Sequence, residues 1–333
     1  MRGASAPGKL MLAGEYVVLF EGSALVTAVS RRARVFRSAT GNNGSGLRGD
    51  GSRENGSVSP EVLLAIQLAR RAFPSESLGP LDIDVSELRN QREGKYGLGS
   101  SAATAVAAAG LVAQAAGRTL DDPGTRREIL PIAWEAHRVI APGGSGADIA
   151  AANFGGTLEV EPQRSSPPHT NPVDWPRGLI ARAVWTRKVA RTNEMVARVR
   201  DFGESNPAAL RQALRPLRDA ADRVTDAFRR QSVPDLIGAV REHHQALAGL
   251  GHTTGTPIVE DTLERTAHLA EEYGGGAKPS GAGGGDVAFA CFAQEDAADR
   301  FDGACRAAGL VPLDLTFHAD GLRGEFLSTG ATP

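Results

Sequence analysis

The chain has 333 residues, 41% of them hydrophobic, and its 37 Lys plus Arg against 39 Asp plus Glu leave a formal net charge of −2. That length allows two domains or one large one, and the apolar share supports a real core. The near-balanced charge argues against a nucleic-acid footprint. No apolar run reaches membrane-span length, and Met1–Ala6 leads straight into a motif where a signal peptide would be apolar, so a cytoplasmic protein without a membrane partner is expected. Cys291 and Cys305 fit no metal spacing and read as buried thiols. Nothing in the sequence fixes an oligomeric state. Only four basic residues are lysine: Lys9, Lys95, Lys188 and Lys278. A GC-rich genome explains the arginines. Each lysine lies in or beside a Gly-rich or Thr-rich motif, where a compact ammonium fits a phosphate pocket that a planar guanidinium does not.

In chain order, Lys9–Ala13 reads as a short buried strand, Gly14-Glu15-Tyr16 as a break and Ala24–Arg37 as a second strand. Lys9 sits between Pro7-Gly8 and apolar residues, which holds its charge near the interior. Thr40–Ser57, rich in Gly, Asn, Ser and Arg, reads as a loop or hairpin tip without chemistry. Pro60–Phe73 has helical spacing, and Leu81–Val85 alternates as a strand with one wet face.

Lys95-Tyr96-Gly97-Leu98-Gly99-Ser100-Ser101-Ala102-Ala103-Thr104 then opens onto a helix of small residues, Ala105–Ala116. Its glycines let the backbone approach a ligand, and a helix start offers unpaired N–H groups to an anion. Gly97–Ala103 is therefore read as a nucleotide phosphate loop. It formally matches the dinucleotide fingerprint, with Asp121 about 20 residues on. But polar Arg89–Gly94 precedes it, where a dinucleotide fold needs a buried strand. No Gly-Lys-Ser/Thr ends the loop, which excludes a Walker P-loop.

Asp121–Val139 reads as a helix. Ala141–Ala152 repeats the design of a Gly/Ser loop running into small residues, with Ser145, Gly146 and then Asp148. Asp148 either caps a helix Ile149–Asn153 or serves a reaction. Phe154–Val160 reads as a strand. Glu161–Arg177 holds five prolines and reads as an interdomain connection, which places the domains at 1–177 and 178–333. Val184-Trp185 ends a strand before the basic loop Thr186–Thr192, with Arg187, Lys188 and Arg191. Pro207–Tyr273 gives about three helices. Gly274–Asp286 is nearly all glycine and alanine around Lys278 and Ser280. A strand Val287–Ala293, a helix Gln294–Gly309 and strands Val311–Phe317 and Gly321–Leu327 suggest an α+β C-terminal layer.

Three glycine-rich segments with a proline-flanked lysine resemble the GHMP kinase superfamily. The matching residues are Ala6-Pro7-Gly8-Lys9 with Gly14-Glu15, Gly97–Ala103, and Ser280-Gly281-Ala282-Gly283-Gly284-Gly285. Within that superfamily, Tyr16, Lys95-Tyr96, Gly144–Ala150 and Gly285-Asp286 are similar to the phosphomevalonate kinases; mevalonate kinases usually carry histidine in the tyrosine's place and glycine after Gly285.

The resemblance implies a two-domain α+β fold, with an N-terminal ribosomal-protein-S5-domain-2-like domain, a C-terminal ferredoxin-like domain and an active site in the cleft between them. It implies transfer of a phosphoryl group from ATP, with Mg2+, to a small phosphorylated substrate. Lys9 and Asp148 are the implied catalytic residues. Lys95, Gly97, Leu98, Gly99, Ser100, Ser101, Ala102 and Ala103 would hold ATP. Ser101 (or Ser100) would bind the metal, with Glu135 as a weakly placed second ligand. The acceptor would meet Lys9, Tyr16, Ser145, Gly146, Ser280, Gly283, Gly284 and Gly285, and the cations Arg187, Lys188 and Arg191, with Lys278 nearby. Asp286 reads as structural or as orienting a cation. An alcohol acceptor needs a base, which Asp148 could be. A phosphate acceptor, with its second pKa near about 6, needs charge relief instead, and Lys9 suits that. The alternatives are a kinase acting on mevalonate or a sugar, or a silent ligand sensor. A sensor would be expected to lose Lys9, Asp148 or a motif serine, and all are present.

Overall fold

The computed structural model describes residues 2–38, 47–50, 59–75, 78–90 and 93–326. Two long antiparallel strands come first, β1 (Arg2–Ala13) and β2 (Ala24–Arg37). They are followed by β3 (Leu47–Asp50), α1 (Pro60–Ala72), β4 (Leu81–Asp84) and the short antiparallel pair β5 (Arg89–Asn90) and β6 (Gly94–Lys95). Helices α2 (Ser100–Ala115), α3 (Pro123–His137) and α4 (Ala147–Phe154) lead to β7 (Thr157–Glu161) and β8 (His169–Val173). The second half runs β9 (Ile180–Trp185), α5 (Thr192–Ser205), α6 (Pro207–Arg229), α7 (Val233–Thr254) and α8 (Asp261–Glu272). It continues with β10 (Gly276–Pro279), β11 (Val287–Phe292), α9 (Glu295–Ala307), β12 (Val311–Leu313) and β13 (Arg323–Phe326).

The described strands form a first sheet in the order β13-β1-β2-β4-β3, with β7 and β8 branching from β2, and a second sheet in the order β10-β11-β9-β12. Helix α2 is buried along most of its length because its residues are small: alanine lets it lie close to β1, β2, α1 and α3 at once. In the second half, α7 and α8 cover β10, and α9 covers β9 and β12.

Several elements differ from the sequence expectation. β1 begins at Arg2, not Lys9, and carries Pro7-Gly8 inside it, because the register shifts between Pro7 and Lys9. Such a bulge tolerates a proline and re-aims the next side chain. Of the expected loop Thr40–Ser57, residues 47–50 form β3, parallel to β4; the rest lies outside the described residues. The proline-rich 161–177 contains β8, paired among the described strands with β7 alone, an edge position where prolines are tolerated. Helix α5 and strand β10 were not expected. The segment after α9 also leaves the second sheet: pairing stops at Leu313, Phe317 bridges Val29, and β13 joins β1 with Arg2 opposite Phe326. Trp175, between β8 and β9, stacks on Phe317, between β12 and β13, with ring centroids 5.6 Å apart at 24°. The two chain crossings between the sheets thus touch each other. No helix among the described residues is long and apolar enough to cross a membrane.

Candidate active site

The first wall of the site is the start of α2. Gly97 (φ 85°) and Gly99 (φ 76°) are both left-handed, and Gly99 caps the helix without any side-chain hydrogen bond. The free N–H groups of the first turn therefore face the cleft. A Cβ on Gly99 would sit 3.2 Å from Lys9 Cγ, and one on Gly97 would overlap Asp286. β1 is tied to the loop by Lys9 N–H donating to the Leu98 carbonyl at 2.8 Å, and a Cβ on Gly8 would come within 2.8 Å of that same oxygen. Glycine is required at position 8 for Lys9 to approach the loop. Leu98, Ala102 and Ala103 are buried, so they offer the site backbone only, while the hydroxyls of Ser100 and Ser101 remain half-exposed.

Two cavities meet here. One of about 500 Å³ runs along the loop past Lys95, Ser100 and Ser101. The other, of about 490 Å³, is bounded by Tyr16, Arg138, Ser145, Gly146, Arg200 and Gly281-Ala282. Lys9, His137, Ala141, Asp148, Thr192 and Asn193 line both. Gly146, left-handed at φ 73°, caps α4, so Asp148 is the second residue of that helix and not its cap. Its Oδ1 accepts from Ile149 N–H at 2.9 Å.

Its Oδ2 lies 3.1 Å from Nε2 of His137, with the His137 side chain 12% and the Asp148 side chain 27% exposed. Burial alone would raise the Asp148 carboxyl. The charge and hydrogen bond of His137, then Lys9 and the Ile149 N–H, outweigh it and hold the group well below the usual carboxylate range. Burial would lower His137, but Asp148, with Glu61 behind it, raises it instead. Each group thus favours the charged form of the other. No carboxylate comes within ion-pair distance of the Lys9 ammonium among the described residues, which leaves it free for an anion.

Other expected site residues are placed elsewhere. The Glu135 side chain is 54% exposed, pairs with Arg138 at 3.3 Å and lines neither cavity. Arg187 pairs with Glu93, Lys188 with Glu260 and Arg191 with Glu194. Of these three only Arg191 borders a cavity, the one along the loop. Ser280 is buried, its Oγ accepting from Met11 N–H at 2.8 Å. Gly283, Gly284 and Gly285 pack against Ile258, Met195 and Lys188, so the part of the third motif that faces the cavity is Gly281-Ala282. Lys278 is fully buried against Glu15, out of a substrate's reach. Asp286 borders the loop cavity, and its Oδ1 accepts from Ala190 N–H at 3.0 Å while its backbone bonds Thr186 and Lys188, pinning the basic loop to the third motif. The Tyr16 hydroxyl donates to the Ala282 carbonyl at 2.6 Å, and both residues line the second cavity. Tyr96 packs edge-on against Trp185 with centroids 5.0 Å apart.

Sequence reasoning missed His137, Arg138 and Arg200. Arg138 lies over the Trp134 ring, 4.7 Å from its centroid, and Arg200 donates to the Gly143 carbonyl at 2.9 Å. They approach the cavity bounded by Tyr16 and Gly281-Ala282 from α3 and α5. The available signal was position: His137-Arg138 ends a helix immediately before the Gly143–Gly146 loop.

A two-domain α+β fold with a helix-start loop, a free lysine and a half-buried carboxylate between two cavities defines the class. The family model for the GHMP kinases N terminal domain matches residues 62–156, and that for the GHMP kinases C terminal matches 224–309, together more than half of the chain. The chain belongs to the GHMP kinases and is an enzyme of the kinase class. It is similar to the phosphomevalonate kinase of Streptomyces sp. (strain CL190), 28% identical over 95% of this chain and 97% of that protein. It is also similar to the mevalonate kinase of Pyrococcus horikoshii, 26% identical over 98% of each. Among solved structures, Streptococcus pneumoniae phosphomevalonate kinase in complex with phosphomevalonate and AMPPNP aligns with a TM-score of 0.77 at 18% identity, covering 95% of this chain and 100% of that one. The Lin0012 protein of Listeria innocua aligns with a TM-score of 0.82 at 22% identity, covering 97% and 99%. These structures share the fold.

Proposed function

We propose that the chain transfers the γ-phosphoryl group of ATP to phosphomevalonate, giving diphosphomevalonate and ADP. ATP's phosphates would lie on the Gly97–Ala103 loop at the start of α2, and the acceptor in the cavity beyond Lys9. The observation that carries this reading is the ion pair of His137 and Asp148 beside a free Lys9, where the two cavities join. A carboxylate held far below its usual range is a weak proton acceptor. It suits an acceptor that arrives already ionised, as a phosphate monoester does. The obstacle is then the approach of two anions, and positioning with charge neutralisation supplies most of the catalysis. Lys9 does this: its ammonium sits between the loop and the acceptor cavity. An acceptor phosphate oxygen attacks the γ-phosphorus, the bond to the β-phosphate bridging oxygen breaks, and ADP leaves with that electron pair.

Mg2+ fits the donors present. Among the described residues no three His, Cys, Asp or Glu cluster to hold a metal. Magnesium takes few protein ligands and prefers phosphate oxygens and water, so one hydroxyl beside the loop suffices. Ser101 would supply it, and Glu135, exposed and lining neither cavity, would not. The metal would neutralise charge on the β- and γ-phosphates. Arg138 and Arg200 are the cations available to the acceptor's own phosphate, in the place first expected for Arg187, Lys188 and Arg191.

Similarity to the Pyrococcus mevalonate kinase supports a second reading, in which the acceptor is an alcohol. ADP release measured with phosphomevalonate and with mevalonate separates the two. Turnover with phosphomevalonate at least about tenfold more efficient, roughly 1.4 kcal/mol in transition-state binding, is the expected result. The reverse preference overturns the proposal.

A further inference from the structure

Beneath the site, two fully buried charges join the halves of the molecule. Glu15 follows β1, Lys278 lies in β10, and both side chains are 0% exposed. The Lys278 ammonium donates to Glu15, to the Pro279 carbonyl at 2.7 Å and to the Met11 carbonyl at 3.3 Å. The Met11 N–H in turn donates to Ser280 Oγ at 2.8 Å. Both backbone polar groups of Met11 are thus held by side chains from across the domain boundary. Met11 is two residues from Lys9 with no register shift between them, so the two share a face of β1, and both line the acceptor cavity. Glu15 Oε1 also accepts from Gly281 N–H at 3.4 Å, which ties the opposite wall to the same anchor.

We infer that Glu15 and Lys278 are a positioning pair, which sets the Lys9 segment of β1 against Gly281-Ala282 and so fixes where the ammonium stands between the two substrates. Stability alone does not account for the pair. Burying two charges removes them from water, and a well-packed apolar pair is often as stable or more so. Here one carboxylate oxygen, Glu15 Oε2, has no hydrogen-bond partner, and the nearest candidate, His243 Nε2, is 3.6 Å away. What the charges provide is direction: a lysine can reach three acceptors on two segments, and an apolar side chain reaches none. The inference uses the kinase reading only for its kinetic test.

The test is the double variant Glu15→Gln/Lys278→Met, compared with each single variant. Each single change strands a buried partner and lowers Tm; the double change removes both charges and regains most of the wild-type Tm. A positioning role predicts that kcat in the double variant stays at least about tenfold down, as misplacement of a reacting group by about 1 Å costs that or more. KM for ATP stays within about twofold, because the pair does not touch the α2 loop. Amide hydrogen exchange at Met11 speeds up. Recovery of kcat together with Tm, or unchanged exchange at Met11 in the double variant, overturns the inference. Ser280→Ala removes only the acceptor for Met11 N–H and gives the same two signs in a milder background, whether or not the double variant folds. Should the wild-type protein release ADP with neither acceptor, the functional proposal falls while Met11 exchange still decides this one.

Discussion

His137 Nε2 and Asp148 Oδ2 stand 3.1 Å apart at the point where the two cavities join, one at the end of α3 and the other in the first turn of α4. The pair has a defined pH window. Asp148, held below its ordinary value, contributes stability that is lost only as pH falls through that low value. His137, held above its ordinary value of about 6.5, contributes stability that is complete below that value and is lost as pH rises through the elevated one. Wild type and His137→Gln should therefore differ most in Tm near about pH 6, by about 2–4 °C, and converge in alkaline buffer. Thermal unfolding across pH 5–9 checks this, and a gap that widens with pH contradicts it.

Lys9→Met should lower kcat about 10²–10³-fold, the usual cost of removing one preorganised charge at the developing transition state. Asp148→Asn should cost less with the phosphorylated acceptor, because no proton has to be removed. Steady-state ADP release on both variants decides between these roles, and equal losses would assign Asp148 more than an orienting one.

Arg200→Ala should raise KM for the phosphorylated acceptor by about tenfold, as loss of one charge-assisted hydrogen bond implies, and leave KM for ATP unchanged. Lys188→Ala should alter neither, since Lys188 is paired with Glu260 and lines neither cavity. The same assay with acceptor and ATP varied in turn tests both; an unchanged acceptor KM in Arg200→Ala removes it from the site.

Two glycines should respond in opposite directions. Gly283 is left-handed at φ 76°, and a Cβ there overlaps the Ile258 carbonyl, so Gly283→Ala should destabilise by more than about 1 kcal/mol. Gly238 lies inside α7 with nothing within 4 Å of its would-be Cβ. Gly238→Ala should stabilise by about 0.5–1 kcal/mol. Urea unfolding midpoints give both signs.

What could be read from the sequence was what is local. Gly97 and Gly99 announce a close backbone approach at a helix start, and Pro7-Gly8-Lys9 announces a charge held near the interior. His137 gave no such signal, because a lone histidine closing an amphipathic helix looks like any other. Arg138 and Arg200 were hidden among many arginines. Arg187, Lys188 and Arg191 drew attention as a cluster, yet Glu93 and Glu260, the partners of the first two, come from elements distant in sequence. Strand β8 was masked by its prolines. β13 was expected as a strand but its partner was not, since no local periodicity reports that Phe326 lies beside Arg2.

The stacked rings of Trp175 and Phe317 have a mechanical consequence. The second half is attached at both its ends, through residues 174–179 and 314–322, and the two attachments rest on one another. The contact couples them: loosening one attachment takes away the packing of the other. Neither ring lines either cavity, so this coupling lies away from Lys9 and Asp148.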